Sequence, residues 1–334
     1  MAATLLSGVA FGAALAASGV HQPPVILGQF KLANWDMLET FLTATASSTL
    51  LISAFHAANL VKLSPRCYST LGLFAHYDGN IIGGALLGAG MALARSCPGT
   101  VLAQVGAGLP SGLPALAGAL GGGLVFTSLV RPWLRTACKL APAKEPSRTV
   151  HEALGINRYV AAAAFEVVLA AAVAGLTLLP SVSRGGFVPA SPVVGGLLIG
   201  LAQLVSLLLR HSAIGVSTAY EEAGDLVRWP FYSPKSERPK ATSVIFAGGL
   251  VGGAWLLSHV LPALFQVSTT TPMLATVPVW HSVLGGFLMV LGARIAGGCT
   301  SGHGITGISL LSVSSFVTIG SALGVGVLTA KIFL

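Results

Sequence analysis

Gly297-Gly298-Cys299-Thr300-Ser301-Gly302-His303-Gly304 interrupts an apolar region that runs from Leu284 to Ala296 on one side and from Ile305 to Val313 on the other. Four glycines in these eight residues oppose a continuous helix, since each costs about 1 kcal/mol against alanine. The expectation is a backbone break at membrane depth, with N–H and C=O groups that lipid cannot satisfy. Such backbone persists only where it is buried in protein or lines a wet cavity. A thiol, two hydroxyls and an imidazole sit on this break, so it reads as a site.

A second copy lies upstream. A shift of 202 positions lays Gly83 and Gly84 on Gly285 and Gly286, Gly90 on Gly292, Cys97 on Cys299, and Gly118 and Gly122 on Gly320 and Gly324. The matching break is Ser96-Cys97-Pro98-Gly99-Thr100. Interrupted hydrophobic segments at corresponding places in two halves point to the substrate site of a transporter.

Composition sets the class. With 54% hydrophobic and 8% charged residues and a mean hydropathy of +0.82, the 334-residue chain reads as an all-α polytopic membrane protein, since soluble domains carry about 25% charged residues. The lipid bilayer is therefore its first partner. The formal charge of +8 does not imply nucleic acid, because the basic residues cluster in short loops as the positive-inside rule requires. Gly8/Gly12, Gly84/Gly88, Gly118/Gly122, Gly196/Gly200, Gly249/Gly253 and Gly320/Gly324 have the spacing of close helix packing. Cys67 and Cys138, in basic loops, read as incidental thiols, whereas Cys97 and Cys299 are related by the repeat. No sequence pattern calls for a cofactor or a metal, and neither HxxEH, CxxC nor a phosphate-binding glycine loop is present.

Along the chain, Thr4–Val20 reads as a first span rather than a cleaved leader, and His21–Leu32 as a broken or partly inserted piece. Phe41–Val61 is a span, Ile81–Arg95 and Val101–Gly108 are half-helices around Cys97, and Gly112–Val130 is a span. Residues 1–130 thus form a first transmembrane repeat, 131–158 a basic cytoplasmic linker, 159–180 a connector helix carrying Glu166, and 190–334 a second transmembrane repeat. In the last, Val193–Leu209 crosses, His211–Trp229 is broken, Val244–Leu261 crosses, half-helices flank Cys299, and Val317–Leu334 closes the chain. Counting each half-helix pair as one crossing gives about nine transmembrane helices and two inverted, pseudo-symmetric repeats. It also puts the basic loops at Lys62–Arg66, Arg131–Arg158 and Arg228–Lys240 on one face, which the same rule makes cytoplasmic.

With GMALARSCPG at Gly90–Gly99 and GARIAGGCTSGHG at Gly292–Gly304, the chain resembles the YeeE/YedE sulfur-transport family through both halves. The resemblance implies an hourglass-shaped bundle and uptake of thiosulfate, or a related sulfur oxyanion or selenium species, passed along a row of cysteine thiols. It places two of those thiols at Cys97 and Cys299. Importers of this family also use a cysteine near the end of the first span. Here that neighbourhood reads Ala16-Ala17-Ser18-Gly19-Val20-His21, so Ser18 and His21 are the candidates for first contact with the anion.

Chemistry accounts for the residue types. An anion in transit needs donors without strong fixed charge, and a neutral thiol is a weak, soft donor. Helix breaks aim free N–H groups and positive helix ends at the anion. Around the two cysteines, Pro98, Gly99, Gly298 and Gly302 shape the backbone, and Thr100, Thr300 and Ser301 offer hydroxyls. His303 reads as pore-lining or backbone-bonding. Arg95 and Arg294 lie in hydrophobic segments, where attraction of the anion competes with snorkelling to an interface. Glu166 is expected to form a structural ion pair more readily than to bind a coupling proton. Two readings from other classes stand beside transport. One is a membrane thiol enzyme or sulfur-carrier protein handling persulfide, with a cytoplasmic sulfur-carrier or sulfurtransferase partner. The other is a less selective small-anion channel. Transport is preferred to the enzyme reading because no acid–base pair accompanies the thiols.

Overall fold

The computed structural model describes residues 1–138, 148–178, 191–232, 239–261 and 277–334. Among them there is no strand, only an isolated bridge between Thr149 and Ser312. The first half contains α1 (Ala2–Ala17), α2 (Pro23–Phe30), α3 (Asp36–Ala57), α4 (Asp78–Ala94), α5 (Pro98–Gly106) and α6 (Gly112–Val125). A π-helical turn, Phe126–Val130, carries α6 directly into α7 (Arg131–Cys138). The helix therefore continues beyond the span expected from sequence, into the expected linker, and Arg131 on it pairs with Asp225 at 2.5 Å. After α8 (Val150–Leu154) and the connector α9 (Arg158–Leu178) come α10 (Pro192–Arg210), α11 (Ser217–Tyr232) and α12 (Thr242–Val260). The chain ends with α13 (Val279–Ile295), a π-helical segment at Thr300–Gly307, and α14 (Val313–Phe333).

Among the described residues, seven helices are long and apolar enough to cross a membrane, or eight if α13 and the π-helical segment, bent by 46°, count as one span. The α4–α5 stretch already counts as one of the seven. Helix α1, at 16 residues, falls short by this measure, because a rise of 1.5 Å per residue gives it about 24 Å against a hydrocarbon core of about 30 Å.

Antiparallel α4 and α13 form the centre, and glycine lets their backbones touch. A Cβ added at Gly83 would lie 2.7 Å from the Gly292 carbonyl oxygen, and one added at Gly285 would lie 2.6 Å from that of Gly90. Other helix contacts also come in matched pairs: α1 on α12 with α10 on α3, α6 on α13 with α14 on α4, and α5 on α12 with the π-helical segment on α3. The small-residue spacings at Gly8/Gly12, Gly84/Gly88, Gly118/Gly122, Gly196/Gly200 and Gly249/Gly253 lie at such contacts. Gly320/Gly324 does not, since a Cβ at either position would meet nothing within 4 Å. Spacing alone misassigned that pair.

Candidate functional site

Both breaks occur where the sequence places them, but they are built differently. Helix α4 ends at Arg95, whose φ of 48° is left-handed. The extended residue Cys97 then caps α5. Its Sγ accepts from the Thr100 N–H at 3.3 Å, while its own N–H donates to Thr100 Oγ1 at 2.6 Å. Pro98 opens the helix, where no intrahelical N–H partner is needed, and its carbonyl accepts from the Tyr220 hydroxyl at 2.6 Å. Gly99 has room to spare, with the nearest side-chain atom 3.6 Å from a Cβ placed there.

The second break has no such cap. Gly297 turns at φ 86°, and Cys299 leads straight into the π-helical segment without a side-chain capping bond. Its Sγ instead meets Ser301 Oγ at 3.2 Å and backbone N–H groups of Val216, Ser217 and Gly302. The N-terminus of α11 is thus turned onto this thiol. His303 is fully buried and clasps the break, with Nδ1 2.8 Å from Ser315 Oγ and Nε2 3.0 Å from the Ala296 carbonyl. It is a backbone-bonding residue here. Gly298 is needed beneath it, since a Cβ there would sit 2.9 Å from the ring. The hydroxyl of Thr300 is buried without a partner.

Cys97, Gly99 and Thr100 from the first break, and Thr300, Ser301 and Ile305 from the second, share the wall of one small cavity. Its volume is about 10 Å³, at the lower limit for one water, so the two breaks meet at a small cavity. Cys97 is 5% exposed and Cys299 is 0% exposed. Cys299 lies behind Ser301 rather than on that wall.

A second, wider space of about 770 Å³ opens on the side of the basic loops. Arg66, Arg131, Arg148, Arg294 and the exposed Cys67 line it, together with Gly297 beside the second break. Arg294 is ion-paired with Glu221 and donates to Ser217 Oγ at 3.3 Å. Arg95 lies apart, half-buried, and its carbonyl accepts from Gln104 Nε2 at 3.2 Å. Ser18 and His21 are buried at the end of α1, and both side chains turn to the Leu15 carbonyl, at 3.0 and 3.3 Å. Glu166 has no ion pair among the described residues. It faces Thr49, with one carboxylate oxygen buried and unpartnered, so the expected structural pair is absent. Cys138 is described in its backbone alone.

Two residues at the centre escaped the sequence reading. Tyr220 is 2% exposed and within electrostatic reach of both thiols. Arg66 reaches the second break from the loop between α3 and α4. Neither carries a motif, and Arg66 looks in sequence like any other positive-inside residue.

A multi-pass bundle of apolar helices, broken twice around one small shared cavity, is consistent with a membrane transporter. The chain belongs to the YeeE/YedE sulphur transport family, whose model matches residues 22–329. It is similar to a protein named probable transporter from Xylella fastidiosa (strain Temecula1), 34% identical over 141 residues, covering 42% of this chain and 90% of that protein. It is also 27% identical over 300 residues to the thiosulfate transporter TsuA of Spirochaeta thermophila, covering 86% of this chain and 83% of that protein.

Proposed function

We propose that this protein takes up thiosulfate, or a related sulfur-containing anion, through a central path lined by the thiols of Cys97 and Cys299. The observation that carries the reading is the small cavity whose wall the two breaks share, read as the constriction of the path. Pro98, Gly99 and Thr100 shape its outer side, and Gly298, Thr300, Ser301 and Gly302 its inner side. A neutral thiol gives the anion a transient donor, and the free hydroxyl of Thr300 gives a second. Among the described residues, no charged side chain lines the small cavity itself, where it would trap the ion. The name of the Spirochaeta relative supports thiosulfate as the substrate.

In this reading, residues 1–130 and 190–334 are inverted repeats joined by a cytoplasmic segment (131–158) and a connector (159–180). The reciprocal contacts of Gly83 with Gly292 and Gly285 with Gly90 support it. Antiparallel helices exchanged by a two-fold axis require that axis to lie in the membrane plane. With α1 as the ninth crossing, the N-terminus is cytoplasmic and the wide basic space faces the cytoplasm. Arg95 draws the anion from the outer side, and Arg294, through Ser217, holds α11 against Cys299. Ser18 and His21 fix the end of α1 at the outer mouth, since the Leu15 carbonyl occupies both side chains. His303 holds the inner break in shape, and a cytoplasmic sulfurtransferase can take the delivered sulfur from the vestibule.

Purified protein in sealed liposomes should accumulate labelled thiosulfate with no other component, and excess unlabelled thiosulfate should compete where chloride does not. Turnover of a sulfur donor without net flux would replace transport by the thiol-enzyme reading. Equal competition by chloride would replace it by a broad anion channel.

A further inference from the structure

The vestibule arginines are not equivalent. Arg131 is held by Asp225 and Glu221, and Arg294 by Glu221. Arg66 has no carboxylate partner among the described residues. Its backbone is pinned on both sides: the N–H donates to Ser312 Oγ at 3.0 Å, and the carbonyl accepts from Ser314 Oγ at 3.1 Å. The loop beyond it is tied to the end of α13, where Ser69 donates to the Ile295 carbonyl at 2.5 Å, and is anchored at its far end by Asp78, which accepts from the Leu71 and Leu73 N–H groups. From this mount the side chain reaches into the second break. One Nη lies 3.4 Å from the Gly297 carbonyl, and the other would lie 3.0 Å from a Cβ at Gly302.

Burial lowers the pKa of Arg66 from the usual arginine value, and the Arg294 guanidinium pushes it the same way. The ordinary arginine value lies so far above neutrality that the guanidinium stays charged at neutral pH. An uncompensated guanidinium, rigidly mounted between Cys299 and a wide water-accessible space, has the planar fork that matches an oxyanion bidentately. Gly302 leaves the approach clear, because a Cβ there would lie 3.0 Å from that fork and crowd it.

We propose that Arg66 is a binding station for the transported oxyanion on the vestibule side, receiving it as it leaves Cys299 and before it diffuses away. This rests on the transport reading above and adds to it a fixed positive charge just beyond the constriction. The station takes anions with at least two oxygens on one face, such as thiosulfate, and leaves halides poorly held.

The test is equilibrium binding of labelled thiosulfate to the purified full chain, next to uptake in liposomes. Cys299→Ala should still bind thiosulfate although it does not carry it. Adding Arg66→Gln to that variant should weaken binding about tenfold or more, and Arg66→Lys should recover part of it. Because Arg66 is anchored through its backbone, these variants should keep the elution profile and melting temperature of the parent. Unchanged binding on adding Arg66→Gln would overturn the proposal, as would absence of binding in Cys299→Ala while the unaltered protein transports. Arg66-dependent binding in a protein that shows no uptake would leave the station standing and remove the transport reading instead.

Discussion

The two breaks each carry a cysteine, yet one is capped within itself and the other is held by groups from elsewhere in the chain. At the first, Thr100 and Cys97 satisfy each other in a reciprocal cap, and α4 and α5 together count as one candidate span. At the second, no cap forms, the following turn is π-helical, and the segment bends by 46°. Several of its polar groups are satisfied from outside: His303 through Ser315 and Ala296, Thr306 through the Ile214 carbonyl at 3.0 Å, and the Gly304 carbonyl through Thr45 at 3.2 Å. Two kinks of similar sequence thus differ in their partners: one is capped within itself, and the other is bonded to groups from elsewhere in the chain. A self-capped break resists opening, whereas one held by distant side chains can change when they do.

The largest effect should come from the contact that both halves share. Gly90→Val drives a side chain into the Gly285 carbonyl, 2.6 Å from the new Cβ, and overpacking of this kind costs about 1–3 kcal/mol or more. The expected outcome is loss of monodisperse protein on gel filtration; a well-folded variant would show that α4 and α13 do not need their close approach. Next is His303→Ala, which orphans the Ser315 hydroxyl and the Ala296 carbonyl at about 1–3 kcal/mol. It should lower the melting temperature and distort the second break. If the clasp is dispensable, the melting curve will not move.

How far the sequence carried these expectations differs along the chain. Both breaks were legible because Pro98 and the glycines around Cys97 and Cys299 are incompatible with uninterrupted helix. The spans were legible because runs such as Val193–Leu209 have no other stable home. The asymmetry was not legible, since His303 finds Ser315 twelve residues on and Arg66 reaches Gly297 across 231 positions. Residue type gives no hint of either pairing. Gly320/Gly324 failed in the opposite direction, because small-residue spacing reports an opportunity for contact and not the contact itself.

Two threonines sharpen the contrast at smaller scale. Thr100→Val removes a cap and should cost about 1 kcal/mol of stability. Thr300→Val removes a buried hydroxyl that has no partner in the resting protein, so it should leave the melting temperature unchanged and lower uptake instead. Equal stability losses in the two variants would erase the distinction between the breaks. Smallest of all, Cys67→Ser, on the exposed vestibule wall, should leave both uptake and stability within error.

The central claim is that Cys97 and Cys299 serve one anion path from opposite sides of a constriction. Its most direct test is labelled thiosulfate uptake into liposomes by Cys97→Ala and Cys299→Ala, each checked for insertion and folding. Each replacement alone should abolish or sharply reduce uptake while the protein stays folded. Uptake at the unaltered rate in either variant would take that thiol off the path and contradict the account.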